Sequence, residues 1–134
     1  MKIIITGAYA IGTHLARLLS RNEEEITIID DDEQRLAKIG ADYDLLTICG
    51  SPSSVTTLKK AGTANADLFI AVTPDESENI NSCIIAHALK AKKTVAKVNN
   101  AEYVEDDIRQ FYKELGLTSS SIRRYWLPRR STTV

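Results

Sequence analysis

Short apolar runs alternate along this chain with segments in which apolar residues recur every three or four positions. The short runs predict five β-strands, near 2–6, 25–30, 44–49, 67–72 and 94–98. A helical segment follows each strand, and the last is expected to pack Ile108, Phe111 and Leu115 against the core. Strands joined by helices are parallel and covered on both faces. The predicted fold class is therefore α/β, a Rossmann-like doubly wound parallel sheet in a single domain.

The first strand runs into a turn bounded by two glycines and then into the first helix. This order places the N–H groups of a helix N-terminus beside the strand end, where they can bind phosphate. Gly7 permits a tight turn, and Gly12 lets the helix pack closely on the sheet. The predicted phosphate-binding residues are Gly7, Ala8, Tyr9, Ala10, Ile11 and Gly12.

Tyr9 stands where the dinucleotide-binding fingerprint has its middle glycine. That glycine normally lets the backbone approach the pyrophosphate, and a Cβ at the same position crowds the approach. The sequence leaves two outcomes open. Either the Tyr9 ring turns outward and leaves the amides available with an altered affinity, or the pocket has shifted toward a mononucleotide or has lost binding.

Further polar residues fall at the carboxyl ends of strands, where ligands bind in sheets of this kind. Asp30 follows the second strand and is interpreted as the acid that binds the ribose hydroxyls, which favours NAD or an adenosine nucleotide over NADP. The alternative role, capping the next helix, is already supplied by two neighbouring aspartates. The other candidates are Gly50, Ser51, Thr73, Pro74 and Lys97. Thr73 either contacts ligand or caps a helix, and Lys97 either reaches a phosphate or lies solvated.

Composition narrows the range of possible functions further. The 134 residues are enough for one core, and no apolar run approaches the roughly 18 residues of a membrane span. Four arginines lie in the last dozen residues, so the rest of the chain has 13 basic and 18 acidic residues. An acidic body disfavours nucleic acid as the main partner. The two cysteines lack metal-ligand spacing and indicate a reduced, cytoplasmic setting.

With these residues placed, the chain resembles the N-terminal nucleotide-binding domain of TrkA-type potassium-uptake regulators, the RCK or KTN domain. The resemblance covers residues 1–118. It is carried by Lys2 to Gly12, Ile26 to Asp30, Asp32, Arg35-Leu36, Asp44-Leu45, Gly50, Leu58 to Gly62, Ala66 to Thr73, Asp75-Glu76, Asn79 and Ala101-Glu102-Tyr103. Several motifs occur in the family's order, which makes the resemblance far more specific than the glycine turn alone.

The resemblance implies a cytoplasmic regulatory subunit with no catalysis of its own. It implies binding of NAD(H) or ATP/ADP, assembly into a homodimer or larger ring, and docking on a membrane-embedded potassium translocator at the inner face of the cell membrane. Ligand occupancy would then bias transport, which is a coupling between two sites. The chain departs from the family at Tyr9, where the family has glycine. It departs again at Lys97, where the family often has arginine, which would contact phosphate through two nitrogens.

Residues 119–134 do not read like the family's continuation and are expected to be a disordered tail. Read two bases along, the codons of residues 122–128 permit Pro-Glu-aliphatic-Leu-Ala-Ala, which is the kind of segment found in family members at this point. The hypothesis is that a frameshift has replaced the native continuation. The alternative is a genuine basic tail, Arg123 to Arg130, that contacts anionic lipid.

Two other functions stay open. The chain could be a fragment of an NAD-dependent oxidoreductase, although this length holds no substrate domain and no recognisable acid or base for that chemistry. It could also be a nucleotide sensor for a different transporter. A phosphoacceptor receiver domain is rejected, because receivers have acidic residues after the first and third strands, where this chain has Gly7 and Cys49-Gly50-Ser51.

Overall fold

The computed structural model describes residues 1–99, 102 and 105–115, and the backbone of residues 122–124. Its strands are β1 (Lys2–Thr6), β2 (Glu25–Asp30), β3 (Leu46–Cys49), β4 (Leu68–Ala71), β5 (Thr94–Val98) and β6 (Ile122–Arg124). Its α-helices are α1 (Ala10–Ser20), α2 (Glu33–Asp42), α3 (Val55–Lys60), α4 (Glu76–Ala88) and α5 (Asp106–Glu114). The first five strands agree with the predicted strands to within two residues at each end.

The described strands form one sheet in the order β3-β2-β1-β4-β5-β6, and every neighbouring pair is parallel. The order reverses between β1 and β4, which is the point where doubly wound sheets bind ligands. The predicted fold class is confirmed. The sixth strand was not predicted: residues 122–124, which the sequence analysis placed in a structureless tail, pair with β5. The origin of the tail stays a prediction, and residues 119–121 and 125–134 lie outside the described residues.

Two apolar layers cover the two faces of the sheet. On one face, α1 and α2 pack Ala16, Leu36 and Ile39 against β1 and β2. On the other face, α3 and α4 contribute buried side chains that include Leu58 and Cys83. Because strands buried on both faces have apolar side chains in both directions, β1 reads as an unbroken aliphatic run.

The prediction for the last helix was wrong in its orientation. Ile108, Phe111 and Leu115 are 38%, 54% and 41% exposed, and Tyr112 is the residue of α5 that packs against the core. The apolar spacing along α5 identified the helix correctly. It could not reveal which side of the helix faces the sheet.

Candidate functional site

The turn between β1 and α1 is built from two close backbone approaches. Gly7 has a φ of +103°, and a Cβ on it would lie 3.0 Å from the backbone nitrogen of Thr73. A Cβ on Gly12 would overlap the carbonyl oxygen of Gly7. Only glycine fits these two positions, so the first turn of α1 is held directly against the carboxyl ends of β1 and β4.

The N-terminus of α1 presents its N–H groups without a side-chain cap. In the described part of the chain, Asp32, Ser54 and Asp75 cap α2, α3 and α4 with side-chain oxygens, whereas Tyr9 makes no such bond at α1. The first backbone bond of α1 runs from the N–H of Thr13 to the carbonyl of Tyr9, 2.9 Å. The preceding N–H groups have no partner within a helix, and together with the helix dipole they attract an anion.

Asp30 lies at the end of β2 beside this turn and is only 2% exposed. Its carboxylate accepts hydrogen bonds from the N–H groups of Ala8, 2.7 Å, and Asp32, 2.8 Å, and from the guanidinium of Arg35. Burial alone would raise the pKa of Asp30, but the hydrogen bonds from Arg35, Ala8 and Asp32 outweigh it and hold the pKa below its usual value. Asp30 is therefore ionised, and it lies at the strand end where the sequence predicts a ribose-binding acid.

Arg35 connects Asp30 to Tyr9. The guanidinium also contacts Asp31 at 3.4 Å and Asp32 at 3.2 Å, and its central carbon lies 4.1 Å from the centre of the Tyr9 ring. Tyr9 has an ordinary φ of −93° and is 37% exposed, so the ring lies over Arg35 without backbone strain. Of the two outcomes left open by the sequence, an outward ring fits the backbone, but the ring also lies against the guanidinium that is bonded to Asp30.

A third group of contacts ties the end of β4 to the end of β5. Thr73 is buried, and its N–H and hydroxyl both donate to Oδ1 of Asn79, at 2.9 and 2.7 Å. Nδ2 of Asn79 donates in turn to the carbonyls of Thr73 and Lys97, each at 2.9 Å. Thr73 is thus fixed by a fully bonded, completely buried amide. The backbone at Lys97 is held in the same network.

Between these groups lies a cleft of about 170 Å³, lined by Tyr9, Asp30, Asp31, Pro52, Thr73, Pro74, Asp75 and Glu78. Four of these residues are acids. Burial raises the pKa of Glu78, and the neighbouring charges of Asp75, Asp31 and Asp30 raise it further, while a hydrogen bond with Thr73 opposes the shift. The wall formed by Asp31, Asp75 and Glu78 is therefore unfavourable for phosphate, whereas the N–H groups at the start of α1, next to Tyr9, are favourable for it.

The structure brings part of the predicted set together. Tyr9, Asp30, Thr73 and Pro74 line one cleft, and the remaining residues of the glycine turn form the adjoining helix start. Gly50 donates its N–H to the carbonyl of Asp30 at 3.0 Å, whereas the hydroxyl of Ser51 lies 3.2 Å from that of Ser53. The side chain of Lys97 is half-buried and does not line this cleft. These assignments stay predictions.

Four of the residues that line the cleft were not predicted as site residues: Asp31, Pro52, Asp75 and Glu78. Arg35, which contacts Asp30 and Tyr9, was not predicted either. Asp31 is one of the two aspartates that were read as caps of α2, and Asp75 caps α4. Glu78 follows Asp75 by three residues, so helical spacing places both on the same side of α4. Arg35 had been quoted as part of a family motif. Arg35 follows Asp30 by five residues, and the segment between them contains the end of a strand and the start of a helix. No sequence rule predicts a contact at that spacing.

Among residues 1–99, 102 and 105–115, no group of three or more His, Cys, Asp or Glu side chains is arranged to hold a metal ion. Within the same ranges, no helix combines the length and apolar character needed to span a bilayer.

Comparison with protein families shows a match of residues 3–119 to the TrkA-N domain. The Trk system potassium uptake protein TrkA of Haemophilus influenzae is 37% identical over 115 residues, which are 85% of this chain and 25% of that protein. The TrkA homolog of Methanothermobacter thermautotrophicus is 33% identical over 105 residues, 78% of this chain and 49% of that protein. The chain thus spans a quarter to a half of these curated relatives, and the predicted resemblance is confirmed.

Solved structures agree on the fold. The GsuK channel bound to NAD superposes with a TM-score of 0.71 at 19% identity, covering 87% of this chain and 20% of that one. The Kef CTD of Shewanella denitrificans in its AMP-bound form gives 0.68 at 20% identity, covering 92% of this chain and 71% of that one. At these identities the likeness establishes the architecture.

Proposed function

Because this chain belongs to the TrkA-N domain family, we propose that it is the nucleotide-sensing part of a potassium uptake system. It binds NAD(H) or an adenine nucleotide and thereby regulates a membrane-embedded potassium translocator, with no catalysis of its own. The observation that supports this most directly is the uncapped N-terminus of α1 beside the buried, ionised Asp30, at the point where the strand order reverses.

In this proposal each part of the site has one task. The phosphates lie against the N–H groups of Ala10, Ile11 and Gly12 at the start of α1. The ribose hydroxyls donate to Asp30, which lies beside Asp31 and Asp32 and therefore disfavours a 2′-phosphate. Gly7, Ala8 and Tyr9 shape the turn. Gly50, Ser51, Thr73, Pro74 and Lys97 border the bound nucleotide from the ends of β3, β4 and β5.

Two similar proteins support a nucleotide as the ligand class, since one has been solved with NAD and the other with AMP. The curated relatives support potassium uptake as the process, through their names. We extend both to this chain as proposals, together with a homodimeric or larger ring assembly and a location at the cytoplasmic face of the membrane. The translocator would sense the ligand through a change in ring geometry.

Isothermal titration calorimetry with NADH, NAD, ATP and ADP tests the ligand class. We expect measurable binding of at least one nucleotide, and a loss of about tenfold or more in Asp30→Asn, which removes the charge and keeps the shape. Asp42→Asn is the matched control, because Asp42 is exposed at the end of α2 and outside the cleft. Binding of none of the four nucleotides, or equal binding by both variants, would refute the proposal.

Potassium uptake in cells tests the process. In the full-length protein, Asp30→Asn should change transport rates while Asp42→Asn should not, with both variants present at wild-type levels. Turnover of NADH with carbonyl substrates by the purified chain would instead favour an oxidoreductase fragment. A normal potassium response in the Asp30→Asn cells would point to a sensor for a different transporter.

A further inference from the structure

The carboxylate of Asp30 is already fully occupied in the structure. An ionised carboxylate has about four acceptor positions. Three N–H groups use them: those of Ala8 and Asp32 from the main chain, and Nε of Arg35, which lies 3.2 Å from Oδ1. Nη2 of Arg35 adds an ion-pair contact at 3.0 Å from Oδ1. Nε also lies 3.3 Å from Oδ2. A ribose with two free hydroxyls needs two of these positions, and Nε of Arg35 shares its N–H between one position on each oxygen.

Arg35 is the donor that can leave. The N–H groups of Ala8 and Asp32 belong to the β1–α1 turn and to the cap of α2, and moving them would disturb both elements. Arg35 is 31% exposed, and it keeps contacts with Asp31 and Asp32 when it withdraws from Asp30. Its displacement therefore changes one side chain and leaves the backbone in place.

Tyr9 holds Arg35 over Asp30. The ring centre lies 4.1 Å from the guanidinium carbon, which is within the range of a cation–π contact. A glycine at the same position would provide no such surface. The cleft of about 170 Å³ is smaller than the roughly 300–1,000 Å³ of most small-molecule sites, and Tyr9 is one of the side chains that line it.

We propose that Arg35, held by Tyr9, occupies the ribose subsite of the empty protein, and that a nucleotide binds by displacing the guanidinium from Asp30 with its 2′- and 3′-hydroxyls. Tyr9 and Arg35 are then selectivity determinants for ligands that carry a free ribose diol. This inference rests on the proposed function, and it adds that Arg35 and the ribose hydroxyls compete for Asp30. A ligand without the diol cannot displace Arg35 from Asp30. Weakening the contact between Tyr9 and Arg35 therefore does not increase the affinity for such a ligand.

The test compares ATP with 2′,3′-dideoxy-ATP on the wild-type chain, Tyr9→Ala and Tyr9→Phe. Loss of an exposed cation–π contact corresponds to about two- to fivefold, so Tyr9→Ala should bind ATP more tightly by that factor. Its affinity for dideoxy-ATP should stay unchanged. Tyr9→Phe keeps the ring face and should match the wild type with both ligands. An equal gain for both ligands would show that Tyr9 only crowds the phosphates and would overturn the proposal.

A second measurement follows Arg35 itself. In ¹⁵N–¹H spectra, the Nε–H signal of Arg35, identified by its absence in Arg35→Lys, should move when ATP is added and stay in place with dideoxy-ATP. An Nε–H signal that does not respond to ATP, although ATP binds, would overturn the competition and leave the nucleotide function intact. If neither ligand binds to any variant, the proposed function fails as well, so the two failures are distinguishable.

Discussion

Asn79 fixes the backbone of Thr73 from both sides, because its Oδ1 accepts the N–H of Thr73 and its Nδ2 donates to the carbonyl of the same residue. The same Nδ2 also donates to the carbonyl of Lys97 at the end of β5. One side chain on α4 therefore sets the relative position of two strand ends that border the candidate site. Asn79 has no solvent exposure, so water cannot replace these bonds in the folded state.

Replacing Asn79 with leucine should destabilise the fold strongly. The change keeps a similar volume and leaves the N–H and carbonyl of Thr73 without their partner, at a cost of about 1–3 kcal/mol for each buried polar group. We expect the free energy of unfolding in urea to fall by about 3 kcal/mol. Asn81→Leu is the matched control, because Asn81 is exposed on the same helix and should change stability by less than about 0.5 kcal/mol. Similar losses in the two variants would contradict this role.

Gly12→Ala tests the close packing of α1. Alanine favours a helix over glycine by about 1 kcal/mol, but its Cβ would overlap the Gly7 carbonyl oxygen. Backbone atoms cannot move aside as a flexible side chain can, so the clash should outweigh the gain in helix propensity. We expect the free energy of unfolding to fall by about 3 kcal/mol. Gly40→Ala in α2 is the control: its Cβ would meet only Cγ2 of Thr47, at 3.3 Å, and stability should change by less than about 1 kcal/mol. Chemical denaturation compares the two, and a Gly12→Ala chain as stable as wild type would refute the packing argument.

The sequence was sufficient to predict the strands, the helices that follow them and the position of Asp30 at a strand end. Strand prediction succeeded because β1 and β2 are buried on both faces and consist almost entirely of β-branched residues. The cap of α2 was recognisable because Asp31 and Asp32 directly precede helical periodicity. These features depend on residues that are close together along the chain, so they can be recognised in the sequence.

The rest of the site depends on contacts between segments that no local pattern encodes. The stacking of Tyr9 on Arg35 joins residues 26 positions apart, and it appears only when β1 and β2 lie side by side. The orientation of α5 depends in the same way on its contacts with residues that are distant in the sequence. Neither relationship changes the periodicity of its own segment, so neither could be predicted from that periodicity.

Asp30 should make the stability of the chain dependent on pH in the acid range. Its pKa in the folded state is lowered, so its contribution is complete above the ordinary aspartate pKa of about 4 and is lost as the pH falls through the lower folded value. The free energy of unfolding of the wild type minus that of Asp30→Asn should therefore decrease between pH 5 and pH 2. Urea titrations at several pH values measure this difference. A difference that stays constant over the range would mean that Asp30 is not charge-stabilised.

Glu78 should behave in the opposite sense. Its folded pKa is raised by burial and by the charges of Asp75, Asp31 and Asp30, so the penalty is absent below its unfolded pKa, develops as the pH rises through the two values, and is complete above the folded value. Glu78→Gln should therefore be more stable than the wild type at pH 7, by less than about 1 kcal/mol because the group is partly exposed. The gain should vanish near pH 3.

The same substitution removes one negative charge from the cleft, so an anionic nucleotide should bind a few-fold more tightly at low salt and with a smaller advantage at high salt. Glu114→Gln makes the same change in charge on exposed α5 and should affect neither stability nor affinity. Urea denaturation at pH 7 and pH 3, with calorimetry at two salt concentrations, separates the two effects. If the stability gain of Glu78→Gln persisted at pH 3, it would come from packing. If its gain in affinity were as large at high salt as at low salt, the acidic wall would not be the feature that limits nucleotide affinity.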